Sequence, residues 1–179
     1  SFDLLEAFRR KGALIEGHFV LRSGLHSRQY FQCALLLADT PTAAAACAAL
    51  GERLRNIEFD AVISPALGGL IVGHELARQR GLRHLFAEKE EGRLVLRRGF
   101  VIRPGERLLI AEDVITRGGR VQETVDIVRA AGGVPAGSTI RSTQLARNRG
   151  RPSQTPRCSM SWPTLAVARA VKLPPPQLA

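Results

Sequence analysis

Tyrosine, tryptophan and methionine occur once each in this 179-residue chain, and aromatic residues make up only 5% of it. Cysteine occurs three times, as Cys33, Cys47 and Cys158, widely spaced and with no Cys-x-x-Cys pair. An odd, scattered set argues against a disulfide framework and against a structural zinc site, so a reducing cytoplasm is the expected location. No apolar run approaches the ~20 residues that a membrane helix needs, so no membrane association is expected. The opening Ser1-Phe2-Asp3-Leu4-Leu5-Glu6 lacks a basic stretch followed by an apolar core, and no secretory signal is expected. Acidic residues are absent after Asp126, whereas residues 127–179 hold Arg129, Arg141, Arg147, Arg149, Arg151, Arg157, Arg169 and Lys172. That segment carries +8 of the formal net charge of +10. A basic field attracts small anions and polyanions alike. A single aromatic, Trp162, lies within this tail, too few to stack successive bases, which favours a compositional bias over nucleic-acid binding.

What is present describes a globular chain: 45% hydrophobic and 23% charged residues, in a length that one domain usually fills. Leu4, Leu5 and Phe8 have helical spacing over Phe2–Arg10, with Lys11-Gly12 as the stop. The runs His18–Arg22 and Gln29–Cys33 flank Ser23-Gly24-Leu25-His26-Ser27 and predict a hairpin. Thr40-Pro41 reads as an N-cap followed by proline at the first helical position, opening an Ala-rich helix through Leu54. Ala61-Val62-Ile63, His84–Ala87 and Arg107–Ala111 read as strands. A loop over Pro65–Gly69 and a helix over Leu70–Arg80, ended by Gly81, follow the first of these; a charged loop over Glu88–Arg93 follows the second. Val121, Val125 and Val128 share a helical face closed by Gly132-Gly133. Strands alternating with helices predict βαβ units and a parallel sheet covered on both faces. Residues 148–161 read as loop and Thr164–Val171 as a last edge strand.

The segment with most chemistry is Leu108-Leu109-Ile110-Ala111-Glu112-Asp113-Val114-Ile115-Thr116-Arg117-Gly118-Gly119-Arg120. It is an apolar strand, two adjacent acids, a loop with a hydroxyl and two glycines, then a helix. Glycines let backbone N–H groups approach an anion, and the helix start adds its positive dipole end. Loops at the carboxyl ends of parallel strands are where α/β proteins bind ligands. The acids cannot serve a phosphate; they suit sugar hydroxyls or positive charge developing on a sugar ring. Neither a Walker loop nor a dinucleotide fingerprint occurs. The competing reading is a plain strand-turn-helix with a solvated acidic pair.

Glu112–Gly119 resembles the phosphoribosyl-pyrophosphate (PRPP) signature of type I phosphoribosyltransferases. Three further segments narrow the resemblance to the orotate phosphoribosyltransferase family. Gly17-His18-Phe19-Val20-Leu21-Arg22-Ser23-Gly24-Leu25-His26-Ser27 with Tyr30-Phe31 resembles the orotate-binding segment, Ser64-Pro65-Ala66-Leu67-Gly68-Gly69 the pyrophosphate loop, and Phe86-Ala87-Glu88-Lys89-Glu90-Glu91-Gly92 the start of the mobile catalytic loop. Order and spacing match from about residue 2 to 140. The resemblance implies a type I phosphoribosyltransferase-like α/β fold. It divides the chain into an N-terminal helix-and-hairpin hood (1–38), a core (39–145) and a basic C-terminal segment with an edge strand (146–179).

The same resemblance implies site roles. Val114, Ile115, Thr116, Arg117, Gly118, Gly119 and Arg120 would hold PRPP, with the 5-phosphate over 116–120. Glu112 and Asp113 would meet the ribose hydroxyls beside a Mg²⁺ carried by PRPP, with no direct protein ligand. Ala66, Leu67, Gly68 and Gly69 would form the pyrophosphate loop, and Lys89 would reach pyrophosphate across the boundary of a homodimer with shared active sites. Lys89, Asp113 and Glu112 are then the catalytic candidates. Arg22, Tyr30, Phe31, Thr116 and Arg141 would border orotate. The product would be orotidine 5′-monophosphate, on the route to pyrimidine nucleotides. This chain departs from the family pattern in having Glu88 for a basic residue, Gly68 for another, Gly119 for a hydroxyl residue, and no His between Glu88 and Arg98. Arg93, Arg97 and Arg98 are candidates to replace the missing bases.

Other residues have blander readings. Lys89 amid three glutamates could be one member of a solvated charge cluster. His18 and His26 show no partner pattern and are expected simply to sit in the hairpin, and Cys47 to be a small core residue. Two rival functions remain at this level: a type I enzyme acting on a purine base, and a PRPP-sensing regulator that binds nucleic acid.

Overall fold

The computed structural model describes residues 2–20, 26–115 and 118–138, and the backbone of 168–169. The first helix, α1 (Leu4–Arg10), starts where the Asp3 carboxylate accepts the Glu6 N–H at 3.1 Å. It buries Ala7 and Phe8. The hairpin follows as β1 (Leu14–Val20) and β2 (His26–Phe31), antiparallel. It starts four residues earlier than the sequence pattern predicts, and Cys33 lies outside it, opening the short helix α2 (Cys33–Leu37). The reason is tertiary: Cys33, Leu36 and Leu37 drop into the core together at helical spacing.

In α3 (Thr40–Arg53) the cap is Asp39, not Thr40. Its carboxylate accepts the Thr42 N–H at 3.1 Å, and the helix starts one residue before proline. Aspartate fills this place as well as threonine does. Then come β3 (Ala61–Pro65), α4 (Gly69–Arg80), β4 (Arg83–Glu90), β5 (Arg93–Leu96), β6 (Arg107–Ile110), β7 (Val114–Ile115), α5 (Gly119–Ala130), β8 (Val134–Ser138) and β9 (Ala168–Arg169). The α4 helix stops at Gly81, whose φ of 66° is a left-handed conformation that glycine takes without a Cβ penalty.

The main sheet has the order β5-β4-β3-β6-β8. β4, β3, β6 and β8 are parallel, and β5 adds an antiparallel edge. The expected wholly parallel sheet is thus a mixed one. The expected charged loop after β4 is instead a hairpin: Glu88, Lys89 and Glu90 pair with Val95, Leu94 and Arg93 around a turn at Glu91-Gly92. The charge in this stretch hid a strand because the carboxylates are neutralised across it, Glu88 by Arg98 (2.8 Å) and Glu90 by Arg97 (2.7 Å).

Both sheet faces are covered. Val62 and Leu109 face a cluster with Phe8, Leu36, Cys47, Leu50, Val72 and Leu76 from α1 to α4. Their strand neighbours Ala61, Ile63, Leu108 and Ile110 face the other way, against Leu85, Ile102 and Val128 of the α5 side. This period-2 split makes both layers bury apolar area, at roughly 1.5–3 kcal/mol for each fully buried large side chain. The two buried thiols, Cys33 and Cys47, are free. β9 pairs in parallel with β7, apart from the main sheet. Residues 148–161, Cys158 and the remainder of the expected edge strand lie outside the described residues.

Candidate active site

Parallel pairing brings the carboxyl ends of β3, β4 and β6 to one end of the sheet. Two helices begin there. After β3, the chain runs through Ala66-Leu67, joined by a cis peptide, into Gly68, the residue preceding α4. After β6, it runs through Ala111-Glu112-Asp113 and β7 to Gly118, the residue preceding α5. Neither helix start has a side-chain cap. Gly118 has φ 80°, a left-handed conformation that suits glycine and turns the chain into the helix. Two helix N-termini with uncapped backbone donors thus stand at adjacent strand ends, an arrangement that favours an anionic ligand.

The two turns touch. A Cβ on Gly68 would run into the Asp113 carboxylate, and one on Gly69 would lie 2.6 Å from the Ala111 carbonyl oxygen. Arg120, in the first turn of α5, donates to the Ala66 carbonyl at 3.4 Å. The Val114 N–H donates to Asp113 Oδ1 at 2.9 Å. From behind, Cys33 packs its thiol towards the Asp113 carbonyl at 3.9 Å, which ties the N-terminal unit to the acid turn. Burial first, then the charges of Asp113 and Glu112, push that thiol up, so it is a neutral packing group.

Glu112 is 2% exposed, and its carboxyl is raised to about 8. Burial is the largest cause, followed by a hydrogen bond to the Asp113 side chain and the charge there, with Arg120 opposing. The solvated acidic pair weighed in the sequence is therefore corrected: Glu112 is buried, and Asp113 is half-buried against the neighbouring loop. Beneath the β3 turn, buried Ser64 is hydrogen-bonded to His84 of β4, Oγ to Nε2, at 2.9 Å. Gly73 of α4 leaves the space that both occupy. Burial, then His74, lowers His84 to about 4 and keeps it neutral. Sequence patterns did not single out this support, because serine and histidine twenty residues apart carry no local signal.

Of the sequence candidates, Ala66, Leu67, Gly68, Gly69, Glu112, Asp113, Gly118, Gly119 and Arg120 meet at this end of the sheet, with Val114 and Ile115 in β7. Lys89 is exposed on β4, beyond the last β3 pair (Pro65 with Ala87). Among the described residues it forms no ion pair, since Glu88 and Glu90 are engaged by arginines. Arg97 and Arg98 are thereby tied within the hairpin. Strand alternation separates Tyr30 from Phe31: Phe31 packs edge-on against Phe8 (5.1 Å) and Tyr30 is exposed beside Phe19 (5.5 Å). His18 and His26, expected to be bystanders, are partners, with Nε2 and Nδ1 2.5 Å apart. Arg22, Thr116, Arg117 and Arg141 lie outside the described residues.

Comparisons with known proteins accord with this geometry. An orotate phosphoribosyltransferase from Aeropyrum pernix superposes with a TM-score of 0.69 at 24% identity, covering 93% of each chain. An adenine phosphoribosyltransferase from Thermoanaerobacter pseudethanolicus gives 0.63 at 19% identity, over 76% of this chain and 85% of that one. The fold is that of the type I phosphoribosyltransferases. No family model matches the sequence. Curated relatives do: an orotate phosphoribosyltransferase of Chlorobium phaeobacteroides is 48% identical over 134 residues, 75% of this chain and 69% of the relative. One from Pelotomaculum thermopropionicum is 48% identical over 138 residues, 77% and 73% of the two chains. The chain belongs to the orotate phosphoribosyltransferase family.

Proposed function

We infer that the protein transfers the phosphoribosyl group of PRPP to N1 of orotate, giving orotidine 5′-monophosphate and pyrophosphate in pyrimidine biosynthesis. The observation that carries this reading is the meeting of two uncapped helix starts at the acid turn, with Asp113 seated against Gly68. The α5 start suits the 5-phosphate, the α4 start suits pyrophosphate, and Glu112-Asp113 lies between them for the ribose hydroxyls. Family membership supplies orotate as the acceptor.

Bond breaking at the sugar carbon runs ahead of bond making and leaves positive character on the ring. Asp113 offers that charge a carboxylate, while Lys89 and the backbone donors before α4 neutralise the leaving group. Fixed donors and charges of this kind supply most of such a rate enhancement. No covalent nucleophile is required. The residues present fit a Mg²⁺ held by oxygens of PRPP, since the turn offers carboxylate oxygens, the hard donors this cation prefers. When bound, the cation would neutralise pyrophosphate charge.

The same reading makes residues 1–38 a hood on the orotate side of a 39–145 core, followed by the 146–179 segment. Tyr30, Arg22, Thr116 and Arg141 would border the base, while Phe31 backs the hood against Phe8. It also makes the protein a cytoplasmic homodimer with Lys89 serving the partner's site. Exposed Leu67 and Ile71, four residues apart at the entry to α4, support an apolar contact there. No helix of the described residues is long and apolar enough to cross a membrane.

The direct test is loss of orotate absorbance on adding PRPP and Mg²⁺, with adenine, hypoxanthine and xanthine as competing acceptors. Consumption of a purine instead would replace this reading with the purine enzyme. Mixing a Lys89→Ala chain with an Asp113→Asn chain restores activity if sites are shared, and leaves it absent if each chain serves itself.

A further inference from the structure

The two histidines of the hairpin form a single bonded unit. His18 Nε2 and His26 Nδ1 are 2.5 Å apart, while the ring centroids are 4.8 Å apart with planes at 28°. The centroid separation exceeds the nitrogen separation by about two ring radii. The rings therefore meet nitrogen to nitrogen, side by side, and are not stacked face to face. That geometry places one proton between the two nitrogens.

The backbone is built to make this contact. Glu16 pairs with Gln29, but Phe19 pairs with Ser27, so β1 carries one residue more than β2 in this stretch. Gly17 and His18 occupy that bulge, the kind of irregularity that re-aims a side chain. On β2, His26, Arg28 and Tyr30 form the exposed face, opposite the buried Ser27. The bonded pair thus closes the hairpin at the root of the connection 21–25, whose sequence holds Arg22. It does so on the same β2 face as Tyr30.

We propose that His18 and His26 act together as positioning residues for orotate. Their shared proton holds the two strands in register, and so sets the placement of the hood's base-binding side chains. This rests on the reading of the hood as the orotate side.

Steady-state kinetics of the full chain test the proposal. His18→Ala and His26→Ala should each raise KM for orotate about tenfold, the order expected for one lost hydrogen bond, with kcat and the KM for PRPP unchanged. The double alanine variant should be no worse than either single, because the two act as one unit. His18→Gln and His26→Asn place an amide nitrogen near the replaced ring nitrogen and should recover most of the loss. In the ¹⁵N-labelled protein, scalar coupling between the two facing nitrogens reports the shared proton. An unchanged orotate KM, additive losses, or an equal rise in the KM for PRPP would overturn the proposal. A wild-type chain that consumes no orotate defeats the functional reading instead.

Discussion

The carboxylate of Asp113 rests against the Cα of Gly68, in the space that any side chain at position 68 would need. This contact locks the turn after β6 to the turn after β3. Gly68 has φ −57° and ψ −42°, which alanine adopts readily, so the obstacle is the neighbour and not the backbone.

Gly68→Ala should therefore displace Asp113 while leaving the fold intact. The expected result is a fall of about tenfold or more in kcat/KM for PRPP, with a Tm within ~2 °C of the parent. PRPP titrations and thermal melts check it. Unchanged kinetics would mean that the two turns part without consequence.

Glu112 gives a pH signature. Its folded value of about 8 lies above the ordinary 4.5. The folded state therefore holds a proton that the unfolded chain loses, and the stability this contributes is complete below about 4.5 and gone as pH rises through about 8. Glu112→Gln cannot ionise. Its Tm should match the parent near pH 4.5 and exceed it by ~3–6 °C at pH 8.5, while turnover falls by about 10². Parallel curves across that range would show that burial does not perturb the carboxyl.

Lys89 is exposed, and the neighbouring glutamates are held by Arg97 and Arg98. Lys89→Ala should cost no stability and should lower kcat by ~10²–10³, the usual loss for a charge that acts on the transition state. Normal turnover would return Lys89 to the solvated surface. A lowered Tm would show instead that it braces the hairpin.

His84 titrates in the opposite sense to Glu112. It is lowered to about 4 from 6.5, so the unfolded chain takes up a proton that the folded chain refuses. Stability should decline as pH falls from about 6.5 to about 4 and then cease to depend on this group. Asp39, Asp60 and Glu75, each lowered to about 2 by hydrogen bonds to cationic partners, lose their contribution only below their ordinary range near 4. His84→Gln should flatten the upper window and spare the lower one. Urea titrations at pH 7, 5 and 3 separate the two.

Much of the site was legible because its signals are local. Leu108–Ala111 is an apolar run followed by acids, glycines and a helical face, and each of these is readable within a few residues. The hairpin after β4 was not legible. Glu88–Arg93 reads as a charged loop until Arg98 and Arg97, just past β5, pair with Glu88 and Glu90 and make those glutamates compatible with a strand. Phe31 likewise shares its motif with Tyr30, but only the packing of Phe8 shows that its ring belongs to the core.

The alternation of β3, α4, β4, β6 and α5, the glycine turns and the acid pair were determined by the sequence itself, because periodicity, caps and turn conformations act over a few neighbouring residues, whereas α2, β5 and β7 emerge only in the fold. Three relationships were decided only by tertiary structure: Asp113 against Gly68, Ser64 with His84, and His18 bonded to His26. Each depends on helix packing, on strand register or on one bulge, and register can be set only when the strands are paired.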